Sequence, residues 1–494
     1  MPLPLIPLPH LVEPGGDPFR LLAGARLAGV PEVVAALLRE RTGLSLDGCG
    51  AGLLEFRLAA GGAPESYRLE VDATGVRVVA ADEAGLFYAG CTLEQLLAED
   101  PEGWILPAVV IEDAPRFGYR GAMLDVARHF FDVTTVKRFI DQLARLKLNV
   151  LHLHLTDDHG WRIEIASRPH LTARGSGSEA GGGAGGYFTQ ADYVEIVGYA
   201  AGRCVTIVPE IDLPGHTHAI GLAYPDLAEQ PVLDAYLRAQ IEALDGVLPV
   251  AGEPFTGLGV GFSSLRIGHE PSYDFVADVL GELAGITPGP YLHIGGDECL
   301  GTPPAAFADF LRRVTAMVER LGKTPIAWHE AGAAPGLAPG TVGQYWGFLR
   351  PDELAAGCAQ RLVAAGSRLV LSPSDAAYLD MRHPEDPSGQ DWANGPTSLR
   401  RSYCWEPSEL IPGVGETDIL GIEAPLWTEF VRTPAQVDAL VFPRLAAIAE
   451  IAWSAPAGAP GRNWSEFRQR VAGLAASWRA QGIGFTAVRE VEWP

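Results

Sequence analysis

The chain has 494 residues, 47% of them hydrophobic and 20% charged, a balance that excludes a disordered or a collagenous chain. About 150 residues per domain suggests roughly three domains, or two where one is a large α/β barrel. Lys and Arg number 37 against 61 Asp and Glu, a net charge of −24, which argues against attraction to nucleic acid or anionic lipid; no apolar run is long enough to cross a bilayer.

The N-terminus, Met1 to Arg20, repeats proline and lacks a basic n-region, so a secretory signal is not expected. A cytoplasmic location follows as the expectation, with secretion the alternative if a signal has been removed. Six cysteines (Cys49, Cys91, Cys204, Cys299, Cys358 and Cys404) lie far apart without a C-x-x-C, a pattern of neither zinc ribbon nor disulfide framework.

Residues 1–115 read as a small α+β unit. Pro31 to Arg41 is helical in composition, Tyr67 to Val79 alternates around the turn Thr74-Gly75 as a hairpin, and Glu83 to Leu97 reads as a helix. Residues 116–494 change to strand followed by helix, repeated. Strands are expected at Arg120 to Val126, Asn149 to Thr156, Cys204 to Ile211, Tyr291 to Gly296, Pro325 to Trp328, Val342 to Trp346, Arg368 to Leu371 and Ile422 to Trp427. Helices fall at Thr134 to Lys147, Ala191 to Gly202, Phe275 to Leu283, Ala305 to Leu321, Asp352 to Ala365 and Pro434 to Ile451. The fold class is therefore α/β, a (β/α)8 TIM barrel preceded by a small α+β N-terminal domain. Asp212 to Pro290 and Ser372 to Gly421 interrupt the repeat, and the glycine-rich Gly175 to Gly186 reads as a flexible loop.

Barrel enzymes carry their chemistry at the C-terminal ends of the strands. Those ends supply Asp125 and Arg128; Asp157, Asp158 and His159; Glu210, Asp212 and His216; Asp297 and Glu298; Trp328; Trp346; Tyr378 and Asp380; Trp427 and Glu429. Singly, each acid is more commonly a helix cap or ion-pair partner and each tryptophan a core residue. Together, acids and indoles at one mouth fit a carbohydrate site, where rings stack on C–H faces and carboxylates bind hydroxyls. His152 and His154 share one strand face, the pattern of hydrogen-bonded interior histidines or of metal ligands.

At HIGGDE, His293 to Glu298, the chain resembles glycoside hydrolase family 20, the β-N-acetylhexosaminidases. RGAMLDVARHFF (from Arg120), LHLHLTDDHGWRIEI (from Leu151), VPEIDLPGHTHA (from Val208), IAWHE, GQYWG and APLWTE (from Ala424) belong to the same resemblance, as does GLFYAGCTLEQLL (from Gly85) in the N-terminal unit. The resemblance implies a retaining exo-enzyme that removes terminal β-linked GlcNAc or GalNAc, as from chitin oligosaccharides, through an oxazolinium intermediate, with no cofactor and no metal. It implies Glu298 as general acid/base, Asp297 as the partner of the substrate's acetamido group and Tyr378 as its hydrogen-bond donor. Arg128, Asp380 and Glu429 would bind sugar hydroxyls, Trp328, Trp346 and Trp427 would wall the acetamido pocket, and Trp392 would stand at its rim. Asp157 and His216 would support the acid, while His159 and Glu330 depart from the family pattern.

Adjacency supports the same chemistry. Asp297 and Glu298 leave one strand end, so they cannot easily flank both faces of a sugar ring as the paired carboxylates of ordinary retaining glycosidases do. An intramolecular acetamido carbonyl is then a ready nucleophile, although Asp380 or Glu429 is an alternative attacking group. Three other readings remain open on sequence: a disaccharide-releasing, lacto-N-biosidase-like relative, a metal-dependent amidohydrolase barrel using His152 and His154, and a sugar-binding protein on a degenerate barrel. The expected partner is a saccharide with a terminal N-acetylhexosamine, not nucleic acid or membrane, and a monomer is the default.

Overall fold

The computed structural model describes residues 2–48, 50 and 52–494. Eight parallel strands close into a barrel in chain order: β1 (Tyr119–Asp125), β2 (Val150–His154), β3 (Thr206–Glu210), β4 (Tyr291–His293), β5 (Thr324–Trp328), β6 (Val342–Tyr345), β7 (Leu369–Leu371) and β8 (Ile419–Leu426). Their side chains are buried almost throughout, because helices cover the outside and packed residues fill the inside. The helix Val133–Arg145 shows why each unit folds locally. Asp132 accepts from the Thr135 amide at 2.8 Å as its N-cap, and Val136, Phe139, Ile140 and Leu143 form its buried face.

Closure depends on β8 lying against β1, with Tyr119 opposite Gly421 and Leu124 opposite Leu426. A Cβ on Gly421 would stand 1.7 Å from the Tyr119 carbonyl oxygen, so only glycine allows the seam to close. This strand, expected at Ile422 to Trp427, runs instead from Ile419 to Leu426. The expected strand Tyr291 to Gly296 stops instead at His293, because Gly295 and Gly296 take φ of 66° and 99°. The expected helix Pro434 to Ile451 divides into Pro434–Val441 and Arg444–Trp453, since Pro443 offers no N–H to continue it.

Before the barrel, six strands form one sheet in the order Leu11–Pro14, Val109–Asp113, Tyr67–Asp72, Gly75–Ala80, Leu53–Leu58 and Arg26–Ala28. The hairpin closes on Asp72 opposite Gly75, with Asp72 accepting from the Thr74 amide at 2.8 Å. The helix Glu83–Leu96 covers this sheet and faces the barrel. Polar contacts join the two. Lys147 Nζ lies 2.8 Å from both Asp113 Oδ2 and the Tyr67 hydroxyl, Trp453 Nε1 donates to Asp113 at 2.8 Å, and Arg120 lies over the Trp453 ring at 4.9 Å.

The segment Gly175 to Gly186, expected to be flexible, is instead wrapped around one cation. The buried Arg162 guanidinium donates to the carbonyls of Ser176 and Ser178 at 2.6 Å and of Gly186 at 3.2 Å. Cys91, Cys204, Cys299, Cys358 and Cys404 carry free thiols; Cys49 lies outside the described residues. Among those residues no helix is long and apolar enough to cross a membrane.

Gly421→Ala should destabilise the fold by about 2 kcal/mol or more, the usual scale of an unrelieved core clash. Urea unfolding measures this; an unchanged midpoint would mean that the barrel seam can open by more than an ångström at no cost.

Candidate active site

The strand ends converge on one cleft at the C-terminal mouth of the barrel. Arg128, His216, Asp297, Glu298, Trp328, Trp346, Tyr378, Asp380, Trp392, Trp427 and Glu429 all line it. Asp157 lies directly beneath, its Oδ2 2.8 Å from Arg128 Nη2 and 3.4 Å from His216 Nδ1.

Asp297 and Glu298 follow the turn made by Gly295 and Gly296. The turn is packed closely: a Cβ on Gly295 would stand 1.7 Å from Asp212 Oδ1, and the Gly296 amide donates to that oxygen at 3.2 Å. Glu298 and His216 take φ of 47° and 53°, a left-handed conformation uncommon for residues with side chains and concentrated at functional sites. His216 Nε2 lies 3.6 Å from Asp297 Oδ2 and 3.5 Å from Glu298 Oε2. One imidazole therefore faces both carboxylates on the same side of the cleft.

Burial is the main cause of the electrostatics here. It pushes the Asp297 carboxyl up to about 7, against the pull of His216 and with help from Glu330 and Glu298. It also pushes Glu330 up to about 7, although the Trp346 indole donates to it at 3.0 and 3.1 Å. Asp157 goes the other way: burial alone would raise it, but Arg128 and His216 hold it well below the usual carboxylate range. Despite burial, His216 is held well above the ordinary imidazole value by Asp157, Asp212 and Asp297.

Across the cleft, burial and the neighbouring Glu429 raise the Asp380 carboxyl well above its ordinary value. Both Asp380 oxygens are buried with no hydrogen-bond partner, an arrangement that a bound ligand's donors would relieve. Glu429 accepts from Gln390 Nε2 at 3.1 Å. The aromatic wall is continuous: Trp427 lies 5.9 Å from Trp328 and 6.2 Å from Tyr378, and Trp392 stands 6.0 Å from Tyr378 and 6.3 Å from Trp346. Trp392 is 47% exposed, in keeping with a rim position.

Sequence reasoning missed Gln390, which stands in the irregular segment after Tyr378, and gave Glu330 no role beside Trp346. Other strand-end residues are structural. Asp125 accepts from the amides of Ala127, Arg128 and Thr428. Asp158 accepts from Ser263 and the His218 amide, and His159 Nε2 contacts the Gly257 carbonyl at 2.6 Å.

His152, Glu210 and His293 lie close enough to share a cation, but their atoms are already engaged with one another and with Glu423. His152 spans Glu423 at 3.0 Å and Glu210 at 3.1 Å, and His154 contacts Glu210 and reaches Asp157 at 2.9 Å. Glu210 also accepts from Trp328 Nε1 at 2.9 Å and faces His293 Nδ1 at 2.9 Å. This carboxylate ties the Trp328 wall to the Asp157–His216 support, so the H-x-H pair stands within one network of imidazoles and carboxylates.

Asp297 ionises at about 7 in the fold against an ordinary 3.8, so between those values the folded state holds the extra proton and stability falls as pH rises. Asp297→Asn escapes this cost. Its stability relative to the parent should improve by on the order of 3 kcal/mol from pH 4 to pH 8, measured by urea unfolding at both; a constant difference would contradict the raised ionisation.

Residues 117–303 and 302–456 match the catalytic-domain model of glycosyl hydrolase family 20, and residues 3–114 match domain 2 of that family. A β-N-acetylhexosaminidase of Cellulomonas fimi is 40% identical, aligned over 99% of this chain and 97% of its own. A solved glycoside hydrolase family 20 β-N-acetylglucosaminidase superposes with a TM-score of 0.91 at 52% identity, covering all of both chains. The Streptomyces plicatus N-acetyl-β-hexosaminidase, solved in complex with Thio-NAglucal, superposes with a TM-score of 0.89 at 42% identity over 100% of this chain and 98% of its own. On this mouth, these motifs and these likenesses, the chain belongs to glycosyl hydrolase family 20.

Proposed function

We propose that this chain is a retaining exo-β-N-acetylhexosaminidase in which the substrate's acetamido group attacks the anomeric carbon. The observation that carries the reading is the shared placement of Asp297 and Glu298, both within 3.6 Å of one His216 nitrogen, opposite a pocket walled by Trp328, Trp346, Trp427 and Tyr378. Two carboxylates side by side can divide labour on one edge of a sugar ring, but they do not straddle it. The family's solved members support a sugar ligand: a mutant Streptomyces plicatus β-hexosaminidase was solved with the product GlcNAc.

The terminal residue enters with its hydroxyls toward Arg128, Asp380 and Glu429. Its acetamido arm enters the indole box, where the buried Tyr378 hydroxyl, held protonated by burial, donates to the carbonyl oxygen. Glu298 gives its proton to the glycosidic oxygen as the bond to the anomeric carbon breaks. The acetamido oxygen forms its bond to that carbon, and the nitrogen takes up the positive charge of an oxazolinium. Asp297 accepts the N–H hydrogen bond and stabilises that charge in a site from which the indoles exclude water. Glu298, now a carboxylate, takes a proton from a water that attacks the anomeric carbon, and the ring opens with retained configuration. His216 and Asp157 hold the pair in place. The same amide N–H that Asp297 stabilises in the intermediate also favours its charged form, so substrate binding draws the carboxyl down from its raised ionisation.

Glu298→Gln should lower kcat on an alkyl GlcNAc glycoside by about 10²-fold or more, and Asp297→Asn by a comparable factor, with smaller changes in KM. Steady-state kinetics on GlcNAc and glucose glycosides carrying the same leaving group tests the whole reading. Comparable cleavage of the glucoside, or a glycosyl ester trapped on any carboxylate, would overturn it.

A further inference from the structure

Glu330 takes no part in the bond changes above, yet its carboxyl is bonded to one wall of the same pocket. We propose that Glu330 is a positioning residue: it holds the Trp346 indole in the wall that receives the acetamido group, and it adds a third carboxyl to the charge that Asp297 and Glu298 carry. The inference rests on the acetamido mechanism, because the wall and the carboxylate that Glu330 serves are the ones this mechanism uses.

The placement begins in the sequence. Strand β5 ends at Trp328, and the chain turns at once into the short 3₁₀ turn His329–Ala333, which carries Glu330. The neighbouring strand β6 ends just before Trp346. Both Glu330 oxygens accept from the Trp346 Nε1–H, at 3.0 and 3.1 Å, so two adjacent strand ends are joined carboxyl to indole. The turn is itself pinned. A Cβ on Gly332 would stand 2.1 Å from the Cys358 carbonyl oxygen, and Arg361 Nε donates to the Gly332 carbonyl at 2.7 Å, which seats the turn on the helix Glu353–Ala364. The Trp346 ring meets His329 at 5.6 Å and Trp392 at 6.3 Å. Those ring contacts set where the indole lies, and the hydrogen bond sets how it is turned.

The second part of the role is electrostatic. Burial holds the Glu330 carboxyl up at about 7, with Glu298 adding to the rise and its own amide, the Trp346 indole and His216 opposing it. Glu330 in turn acts on Asp297 more strongly than Glu298 does. The other groups around Glu330 do not cancel it. His329 Nδ1 lies 3.4 Å from Glu330 Oε2, but burial brings that imidazole down to about 4 against the pull of Asp352, so the ring is neutral at pH 7. On the helix Glu353–Ala364, Arg361 is engaged by the Gly332 carbonyl and by Cys358 Sγ at 3.1 Å, and burial keeps the proton on the Cys358 thiol. The Tyr378 hydroxyl is held neutral in the same way. Two carboxyls that titrate in one range and repel each other do not ionise independently. Charge on Glu330 strengthens its bond to the indole and opposes charge on Asp297 until the substrate's N–H arrives to favour it.

The test is the pH profile of kcat/KM on a GlcNAc glycoside, read for the full-length parent, Glu330→Gln and Glu330→Ala. Its acid limb follows the ionisation of Asp297 in the free enzyme. Glutamine keeps an oxygen for the indole and carries no charge, so Glu330→Gln should move that limb to lower pH by about one unit, with KM above the limb within about twofold of the parent. Alanine keeps neither oxygen nor charge, so Glu330→Ala should show the same limb and a KM about fivefold higher, the scale of one lost hydrogen bond. An acid limb in Glu330→Gln that coincides with the parent's overturns the proposal, and so does an unchanged KM in Glu330→Ala. Should Glu330→Ala fail to fold, the limb of Glu330→Gln decides alone. A glucoside with the same leaving group separates this role from the mechanism beneath it. Coincident limbs in an enzyme that still requires the N-acetyl group overturn the role of Glu330 alone, whereas comparable cleavage of the glucoside removes the mechanism and the proposal together.

Discussion

The organising constraint is the concentration of buried carboxylates at the barrel mouth and the small number of cations that face them. Arg128 and His216 do most of the compensation, and both spend it largely on Asp157, which has Arg128, His154 and His216 around one oxygen. Asp157 is thereby held ionised without touching the cleft. A fixed, satisfied charge beneath the site gives His216 a reason to keep its proton, and the protonated ring in turn faces Asp297 and Glu298. The support is electrostatic at distances of 3.4 to 3.6 Å, so it orients the pair without pinning it.

The carboxylates that stay raised despite the cations and amides near them are the ones that face the cleft. Asp297 is held up near 7 by burial, and Asp380, raised by burial and Glu429, has two empty oxygens. These groups are poor hosts for an anion, which would add repulsion, and good hosts for neutral hydroxyl and amide donors. The indoles reinforce that choice by offering faces to C–H groups and excluding water from the amide. Selection for a neutral N-acyl sugar therefore follows from what the protein leaves unsatisfied as much as from what it supplies.

The sequence made the strand ends legible because a parallel barrel repeats one rule eight times. Each apolar run is followed by the residues that reach the mouth, and so Arg128, Glu298, Trp328, Trp346 and Glu429 could be placed without knowing any contact. Gln390 escaped that rule. It lies far along the segment after β7, brought back by a bridge to Met381 and a 2.8 Å hydrogen bond to the Asp380 carbonyl, and neither leaves a periodic trace. The Gly175 to Gly186 loop was misread for a related reason. Its order comes from Arg162, outside the loop, whose guanidinium satisfies carbonyls that composition alone would leave to solvent.

The histidines on β2 show how one pattern can carry two chemistries until its partners are known. Two imidazoles on one strand face suit a metal if the facing strands offer open donors, and they suit a carboxylate ladder if those donors are already shared. Glu210 gathers the ladder, meeting His152, His154, His293 and the Trp328 indole at once. Packing those rings around one carboxylate fixes Trp328 at the floor of the pocket and His154 against Asp157 in the same act. The shape of the indole-walled pocket and the charge beneath Asp297 and Glu298 are thus set by a single buried group, and a change to one cannot leave the other where it was.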